Sequence, residues 1–361
     1  MLYHLASVLT AHFGPARLLQ SYSVLILFAL YGGFIVTFRF LPRFYSWLPH
    51  DRGREFTLTA EAAKGKPTGA GSVFISFFVI ATLFFIPLDA VQAGILALTW
   101  LTMLTGFLDD RSVTSWGEYR KALLDLALSV GAAVLLAYAG TNDSGNTSFL
   151  SGTVHFWVPF TAKGLNVHVC VFIAIAVVMI WASINTTNCT DGVDGLSGTL
   201  VLIALLTLGI VFYFILGHVD IATYLLVPPL AHGASWAGMA FCLAGVLMGY
   251  LWHNAFPSKV LMGDAGSRAL GFFIGVCVMV SGNPFMIFAT STIIFINGGM
   301  GLLKVFLLRF FKIKIFQNIR FPLHDHVRKI HNWSPTQVLV KFMIMQILIT
   351  VAMIGVFFKI R

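Results

Sequence analysis

Acidic residues beside glycines recur at the ends of apolar segments, and their types and spacing suit metal or acid–base chemistry. GFLDDR places Asp109 and Asp110 side by side, and LMGDAGS holds Asp264 between Gly263 and Gly266. Neighbouring carboxylates raise each other's pKa unless a cation neutralises them, and Mg²⁺ prefers hard oxygen ligands. These acids therefore predict a metal-diphosphate site or a general base. Simpler roles stay open: a helix end for the paired acids and an N-cap for Asp264.

The stretch NTTNCTDGVDGL has four oxygen-bearing side chains at intervals of three residues: Asn185, Asn188, Asp191 and Asp194. On a helix such side chains are neighbours, so they would form one slowly drifting polar face. Gly192 and Gly195 would let a ligand approach the backbone closely. A calcium loop is a competing interpretation, but the late glutamate of an EF-hand is absent. A purely structural polar stripe at a helix end also stays open.

Basic and amide side chains in the other polar segments suit an anionic, phosphate-bearing ligand. The glycine-rich segment DRGREFTLTAEAAKGKPTGAGS contributes two lysines, although an ordinary solvated loop would have a similar composition. A zinc site at the two histidines of LHDHVRK lacks a third soft ligand nearby, so cationic histidine beside arginine and lysine is favoured instead. The candidate substrate contacts from these segments are Lys64, Lys66, Lys121, Asn254, His324, His326 and Arg328.

Composition indicates what kind of protein positions these residues. Of 361 residues, 58% are hydrophobic and 10% are charged, against roughly 45–50% and about 25% in soluble domains. This predicts an all-α polytopic membrane protein, in which the formal net charge of +9 reflects cytoplasmic loops and contact with anionic lipid. No nucleic-acid partner is expected, because no aromatic-basic RNA signature accompanies the charge. The four cysteines form no CxxC pair and predict neither a disulfide nor a zinc site.

Ten apolar segments are long enough to span a membrane as helices: 21–42, 72–88, 91–108, 122–139, 167–184, 196–217, 235–252, 267–283, 285–308 and 336–358. Most of the 23 lysines and arginines lie in the loops after the odd-numbered segments; the exceptions are Arg17, Lys163, Lys359 and Arg361. The positive-inside rule then places these loops in the cytoplasm and both termini outside. We expect residues 1–361 to form a single membrane domain.

Most of the acids map to the same cytoplasmic side, which the positive-inside rule does not explain because it says little about Asp and Glu. A shared site on the inner face explains this clustering. Carboxylates, glycine-rich turns and bases together suit metal-assisted phosphoryl transfer, in which the protein mainly positions groups and neutralises charge. Its place at the membrane surface suggests that one substrate is a lipid.

The motifs GFLDD, NxxNxxDGxDGL, MGDxGS and HxH…NWSPTQV together resemble the polyprenyl-phosphate N-acetylhexosamine-1-phosphate transferases. KPTGAGS and NWSPTQV are most similar to the phospho-N-acetylmuramoyl-pentapeptide branch of that superfamily. The resemblance implies transfer of phospho-MurNAc-pentapeptide from its UDP carrier to undecaprenyl phosphate. It also implies lipid I and UMP as products, Mg²⁺ as the cofactor and the bacterial cytoplasmic membrane as the location. A homodimer stays open.

Two other functions are alternatives: a GlcNAc-1-phosphate transferase of the same superfamily, and a secondary transporter or flippase. The span middles are almost free of charge, which counts against transport, because transporters usually place ionisable residues near the bilayer midplane.

The same resemblance implies roles for individual residues. Asp264 is implied as the Mg²⁺ ligand and Asp109 as the base. The other implied catalytic residues are Asp110 beside that base and His324 and His326, which occupy the ends of a triple-histidine motif. Asn185, Asn188, Asp191, Gly192 and Asp194 resemble the nucleotide-sugar site. Three positions depart from the family pattern: Leu261 replaces a phenylalanine beside the uracil, Asp325 the middle histidine, and Asp125 a glutamine.

Overall fold

The computed structural model describes residues 1–10, 13–51, 64–112, 114, 116–143, 152–159 and 164–359. Apart from one two-stranded hairpin, the regular elements in these ranges are helices. They are α1 Leu2–Leu9, α2 Tyr22–Phe40, α3 Gly71–Phe85, α4 Ala90–Arg111, α5 Glu118–Asp143, α6 Val169–Thr190, α7 Leu196–Ile210, α8 Val219–Tyr224, α9 Gly233–Asn254, α10 Gly263–Val280, α11 Met286–Thr290, α12 Thr292–Ile294, α13 Met300–Phe306, α14 Leu323–His331 and α15 Pro335–Lys359. Short 3-10 helices occupy Gly14–Gln20 and Leu41–Phe44, and π-helical stretches occupy Val211–Leu216, Phe295–Gly299 and Leu307–Phe311.

Nine helical stretches in the described ranges are long and apolar enough to cross a membrane, which confirms the predicted all-α polytopic architecture. They are Tyr22–Phe44, Ala90–Arg111, Glu118–Gly140, Val169–Thr190, Leu196–Leu216, Gly233–Asn254, Gly263–Val280, Thr292–Phe311 and Pro335–Phe358. The segment expected at 72–88 forms the 15-residue α3 instead. Its last turn stops at Phe85 because Ile86 precedes Pro87 and takes an extended conformation, as residues before proline do. Ten spans and outward termini remain predictions.

Two helices form the centre of the bundle. The most apolar stretch of α10 is 94% buried and that of α9 is 78% buried, whereas the other spans range from 22% to 50%. On α10, a Cβ at Gly271 would lie 2.4 Å from the carbonyl oxygen of Ser183 on α6. Small residues let membrane helices approach this closely. The central α10 carries Asp264 in its first turn, so the position of that acid is fixed by the core.

The opposite ends of α10 differ in their surroundings. At its carboxyl end, the indole Nε1 of Trp157 donates a hydrogen bond of 2.7 Å to the carbonyl oxygen of Ser281. Trp157 directly follows strand β1 (Thr153–Phe156), which pairs antiparallel with β2 (Leu165–His168), with Thr153 opposite His168. The polar motifs gather at the other end of the helix.

The glycine-rich first loop lies against the start of α10. The Leu261 N–H donates to the Pro67 carbonyl at 2.8 Å, and the Ala70 N–H donates to the Leu261 carbonyl at 3.1 Å. A Cβ at Gly71 would lie 2.0 Å from the Gly266 nitrogen, so these two backbones can meet only without side chains. Residues 52–63 of this loop lie outside the described residues; they include Glu55 and Glu61, two of the acids that the sequence places on the cytoplasmic side.

Candidate active site

The two adjacent acids at the end of α4 have separate partners. Asp109 is buried, and its Oδ1 accepts the Trp116 N–H at 2.6 Å. The Asp110 carboxylate accepts the backbone N–H groups of Asp264 and Ala265, both at 3.0 Å. The first N–H groups of a helix have no partner within the helix, and a carboxylate at the start of α10 accepts hydrogen bonds from them. It also interacts favourably with the dipole of α10. Asp110 therefore fixes the start of α10 against the end of α4, while Asp109 faces the site.

Lys121 links the acids of two helices. Its Nζ contacts Asp109 Oδ2 in a short ion pair and lies 3.1 Å from Asp264 Oδ2. The side chain of Lys121 is 26% exposed, whereas those of Asp109 and Asp264 are 5% and 4% exposed. The first turns of α5 and α10 and the last turn of α4 thus bring two carboxylates and one ammonium together at the edge of the bundle. The N-cap of α10 is Met262, so the N-cap alternative for Asp264 is wrong.

A second ion pair joins α5 and α10 one turn deeper. Arg268 donates through Nε to Asp125 Oδ1 at 3.1 Å, and its Nη2 makes a shorter contact with the same oxygen. The two side chains are 1% and 2% exposed. Lys121 and Asp125 on α5 therefore meet Asp264 and Arg268 on α10, with the signs of the charges reversed between the two turns.

The asparagine and aspartate motif does not form one helical face. Asn185 and Asn188 lie on α6, which ends at Thr190, and Asp191 is the residue that follows. Asp194 lies in the turn before α7, so the prediction of a continuous helical face is wrong beyond Thr190. Asn188 stays beside α10, where its Oδ1 accepts a long hydrogen bond of 3.4 Å from the Ser267 hydroxyl. The Asn185 amide donates to the Trp181 carbonyl at 2.9 Å.

Asp194 lies in the third polar loop (191–195) and connects it to the glycine-rich first loop and to the fourth polar loop (255–262). It accepts hydrogen bonds from the Ser258 N–H at 3.0 Å and the Ser258 hydroxyl at 2.8 Å. Lys66 donates to the same hydroxyl at 3.1 Å, and its Nζ lies 4.0 Å from Asp194 Oδ2. The three loops therefore form one polar surface.

The other predicted substrate contacts in these loops differ in burial and in their hydrogen bonds. Asn254 is buried, accepts the Gly195 N–H and donates to the Val260 carbonyl, both at 2.8 Å, which makes it a structural link between loops. Leu261 is half-buried, and Lys64 is exposed.

His324 joins the fifth polar loop (312–334) to the third. A Cβ at Gly192 would lie 2.5 Å from His324 Nε2, so the ring packs directly on that glycine. The His324 N–H donates to Asn297 Oδ1 at 2.8 Å. Burial, aided by the charge of Arg328, lowers the pKa of His324 to about 3. The expectation of a cationic histidine is therefore wrong for His324, and its 3.7 Å approach to Asp325 is a contact of a neutral ring.

The remaining residues of α14 lie on both sides of this buried ring. His326 is half-buried, and its Nδ1 accepts the Arg320 N–H at 3.2 Å. Burial raises the pKa of Asp325, and the charges of Arg320 and Arg328 partly oppose that rise. Arg328 is half-buried. This helix thus presents one neutral histidine to the third loop and several basic groups to its other surroundings.

The donor set of the site suits Mg²⁺ in one place. No group of three His, Cys, Asp or Glu side chains in the described part of the chain forms a complete metal site. Mg²⁺ needs no such group, because it usually takes one or two carboxylates and completes its shell with water and substrate phosphates. Asp264, with Asp109 beside the same ammonium, offers that set.

Sequence reasoning missed several residues that build the site. Ser258 and Trp116 contribute to it through hydrogen bonds made by their backbone N–H groups, which no motif signals. Asn297 and Arg268 could have been found, because polar or charged residues inside apolar segments are costly and usually have a partner. Both lie within predicted spans, at 285–308 and 267–283.

Comparisons with known proteins identify the family. A family profile described as glycosyl transferase family 4 matches residues 92–282. The phospho-N-acetylmuramoyl-pentapeptide-transferase of Treponema pallidum (strain Nichols) is 55% identical over 98% of this chain and 95% of its own length. The proteins of that name from Campylobacter curvus and Wolinella succinogenes are 31% and 29% identical, each over 89% of this chain and 90% of their own length. The chain therefore belongs to glycosyl transferase family 4 and, within it, to the phospho-N-acetylmuramoyl-pentapeptide transferases.

Proposed function

We propose that this chain transfers phospho-MurNAc-pentapeptide from UDP-MurNAc-pentapeptide to undecaprenyl phosphate, giving lipid I and UMP. The name shared by relatives up to 55% identical supports the muramoyl-pentapeptide donor over UDP-GlcNAc and over transport. The main structural support is Lys121 between Asp109 and Asp264, where ends of three apolar helices meet. Such a site can receive a water-soluble diphosphate from one side and a lipid headgroup from the other.

Asp264 is the residue we propose to hold Mg²⁺. When bound, the ion would neutralise charge on the diphosphate of the donor and on the departing UMP. Lys121 supplies a second positive charge at the same place, and its partial exposure lets the ammonium contact the donor. Asp110 acts through α10, because its two backbone hydrogen bonds fix the turn that carries Asp264.

Asp109 is the base we propose for the acceptor. A phosphate monoester has a second pKa of about 6, so the lipid phosphate needs to lose at most one proton near neutral pH. An acceptor oxygen attacks the sugar-linked phosphorus, the bond from that phosphorus to the UMP oxygen breaks, and any proton goes to Asp109. The Trp116 N–H and the Lys121 ammonium hold the Asp109 carboxylate in one orientation at the membrane boundary. The attack needs no covalent enzyme intermediate.

The nucleotide-sugar part of the donor is proposed to bind along the third loop. Its candidate contacts are Asn185, Asn188, Asp191, Gly192 and Asp194, with Lys64 and Lys66 from the first loop and Leu261 from the fourth. His324 lies against Gly192 as a neutral ring and so would act there by hydrogen bonding. His326 and Arg328 extend this surface along α14 as further polar contacts.

One assay tests the donor and the metal together. Purified protein is incubated with undecaprenyl phosphate and either UDP-MurNAc-pentapeptide or UDP-GlcNAc, with Mg²⁺ or with a chelator, and UMP is measured. We expect UMP only from the first donor and only with Mg²⁺. UMP release from UDP-GlcNAc alone would assign the chain to the other branch, and release from neither donor would favour transport.

A second assay tests the single-step attack. Labelled UMP is incubated with the donor and lipid-free enzyme, and the label in the nucleotide sugar is counted. We expect no label there, because the reverse reaction needs the lipid product. Exchange without lipid would show that a covalent phosphosugar intermediate forms on the enzyme.

A further inference from the structure

A basic cavity is lined by His326 and Lys329 of α14, which follow His324 and its contact with Gly192 in the chain. Its volume is about 310 Å³. The polar side chains that line it are Lys304, Gln317, Asn318, Arg320, His326 and Lys329. No acid is among the described residues that line this cavity. Its charge therefore favours an anionic ligand.

The polar groups of the cavity can donate hydrogen bonds to such a ligand. Lys304 Nζ donates to the carbonyl oxygens of Phe316 and Ile319, both at 2.9 Å, and an ammonium has a third N–H for a ligand. His326 Nδ1 accepts the Arg320 N–H, so the neutral ring carries its proton on Nε2 and donates there. Arginine and lysine side chains bind carboxylates through charge-assisted hydrogen bonds.

The nearest acid along α14 does not neutralise the cavity. Asp325 is 6% exposed and does not line it. Burial raises the pKa of Asp325, and Arg320 is one of the two charges that oppose this rise. The side chain of Arg320 is thus exposed at the cavity, and its charge also acts on Asp325. The remaining bases keep the cavity positive.

We propose that this cavity binds the carboxylate at the free end of the donor's pentapeptide. The inference rests on the proposed function. Muramoyl is an acyl group, so it joins the peptide at its amino end, and the other end is a carboxylate. A donor that lacks a peptide has no group for this place, so the cavity would contribute to the choice of the muramoyl-pentapeptide donor.

The distance along α14 agrees with this assignment. His324 packs on Gly192 of the proposed nucleotide-sugar surface, and Lys329 lies five residues further along the helix. At a rise of about 1.5 Å per residue, the two positions are separated by about 7.5 Å along the helix axis. Five extended residues span at most about 17 Å. The extended peptide is therefore longer than the axial separation between the nucleotide-sugar surface and the cavity.

The test compares two donors that differ only at the free end of the peptide. One is UDP-MurNAc-pentapeptide, and the other has its terminal carboxylate converted to a carboxamide, which removes the charge. UMP release by the full-length enzyme gives kcat and KM for each donor. The variant is Arg320→Gln/Lys329→Gln, and the controls are the wild type and Lys314→Gln, an exposed base of the same loop that does not line the cavity.

We expect the carboxamide donor to raise KM about tenfold in the wild type with kcat nearly unchanged, since one charge-assisted hydrogen bond accounts for such a ratio. The double variant should raise KM for the carboxylate donor by a similar factor and should not distinguish the two donors. Lys314→Gln should behave as the wild type.

Other results would overturn the assignment. Equal KM for both donors in the wild type would show that the cavity does not bind the carboxylate. A raised KM for undecaprenyl phosphate in the variant, with an unchanged donor KM, would make the cavity a lipid phosphate site. A fall in kcat alone would place Arg320 or Lys329 in the chemical step instead of in peptide binding. Absence of UMP from both donors with the wild type would overturn the proposed function itself and this inference with it.

Discussion

Two ion-paired contacts join α5 to α10 one helical turn apart, and they differ in access. Lys121, which contacts Asp264, is 26% exposed, whereas Asp125 and Arg268 are 2% and 1% exposed. The outer ammonium is shared with a second carboxylate, that of Asp109, and the inner pair is closed. The outer group can therefore exchange partners with a charged substrate, while the inner pair can only hold the two helices in register.

Residue type does not separate a reactive acid from a structural one. Asp125 and Asp264 are both aspartates on apolar helices, and each has a basic partner. A buried pair contributes little net stability when intact, because desolvation offsets the attraction, but it is costly to break. Both acids are buried, so the two contacts differ in the access to their basic partners, Lys121 at 26% and Arg268 at 1% exposed.

The largest expected effect is on the inner pair. Arg268→Met leaves the Asp125 carboxylate buried without its partner, which should lower the free energy of unfolding by about 3–5 kcal/mol. Thermal unfolding of the purified protein in detergent measures this. The double variant Asp125→Leu/Arg268→Met should recover most of the loss. Equal instability of the single and double variants would contradict the compensation between the two charges.

Substitutions in the outer cluster of Asp109, Lys121 and Asp264 should lower activity and not stability. Asp264→Asn removes the charge that we propose to hold Mg²⁺, and UMP release should fall about 100-fold to 1,000-fold, as when one major electrostatic contact of a transition state is lost. The unfolding temperature should stay close to that of the wild type. A loss of stability comparable to that of Arg268→Met would remove the distinction between the two contacts.

A smaller effect sharpens the role of the shared ammonium. Lys121→Met leaves Asp109 and Asp264 facing each other without a cation, so the Mg²⁺ concentration needed for half-saturation should fall about threefold to tenfold. A thermal shift titrated with Mg²⁺ measures binding apart from activity, and Lys314→Gln is the control for loss of one charge. Turnover should decrease about tenfold because the diphosphate loses a contact. Unchanged Mg²⁺ binding would contradict the shared electrostatics.

The smallest expected effect concerns His324, whose pKa of about 3 lies far below the range of activity. His324→Asn should leave the shape of the pH–rate profile between pH 5 and 8 unchanged, because the native ring takes up no proton there. The dependence of folding stability on pH has the opposite sign to that of a histidine that is stabilised as a cation by an acidic partner. The unfolded histidine binds a proton near pH 6.5 and the folded one does not, so acidification favours unfolding. An acidic limb of activity that disappears in His324→Asn would contradict the neutral ring.

Hydrophobic segments and short motifs predicted much of this molecule. The span expected at 167–184 is α6, Val169–Thr190, and the acids Asp109 and Asp264 do meet. Long apolar runs are a strong signal because the bilayer sets their length. The hairpin at 153–168 was not predicted, because its strands are four residues each and lie between two spans.

The contacts that the sequence did not predict join residues that are distant in the chain and meet only in the folded structure. Asp125 was recognised as a departure from the family pattern, but its partner Arg268 is distant in sequence and no local spacing connects them. Adjacent residues on a helix point in different directions, so Asp110 could be assigned to the N-terminus of α10 only once α10 was placed. The prediction of one helical polar face is wrong from Asp191 onward, because α6 ends one residue earlier, before the two glycines.

The contact between the first and fourth polar loops has a consequence for biosynthesis. Lys66 and its partner Ser258 are 192 residues apart in the chain. At about 5–20 residues per second, a ribosome needs roughly 10–40 s to add that stretch. Asp109 and Lys121 are made early in this interval, so they enter the membrane without Asp264. The polar face at the bilayer surface therefore stays incomplete until α10 has been made.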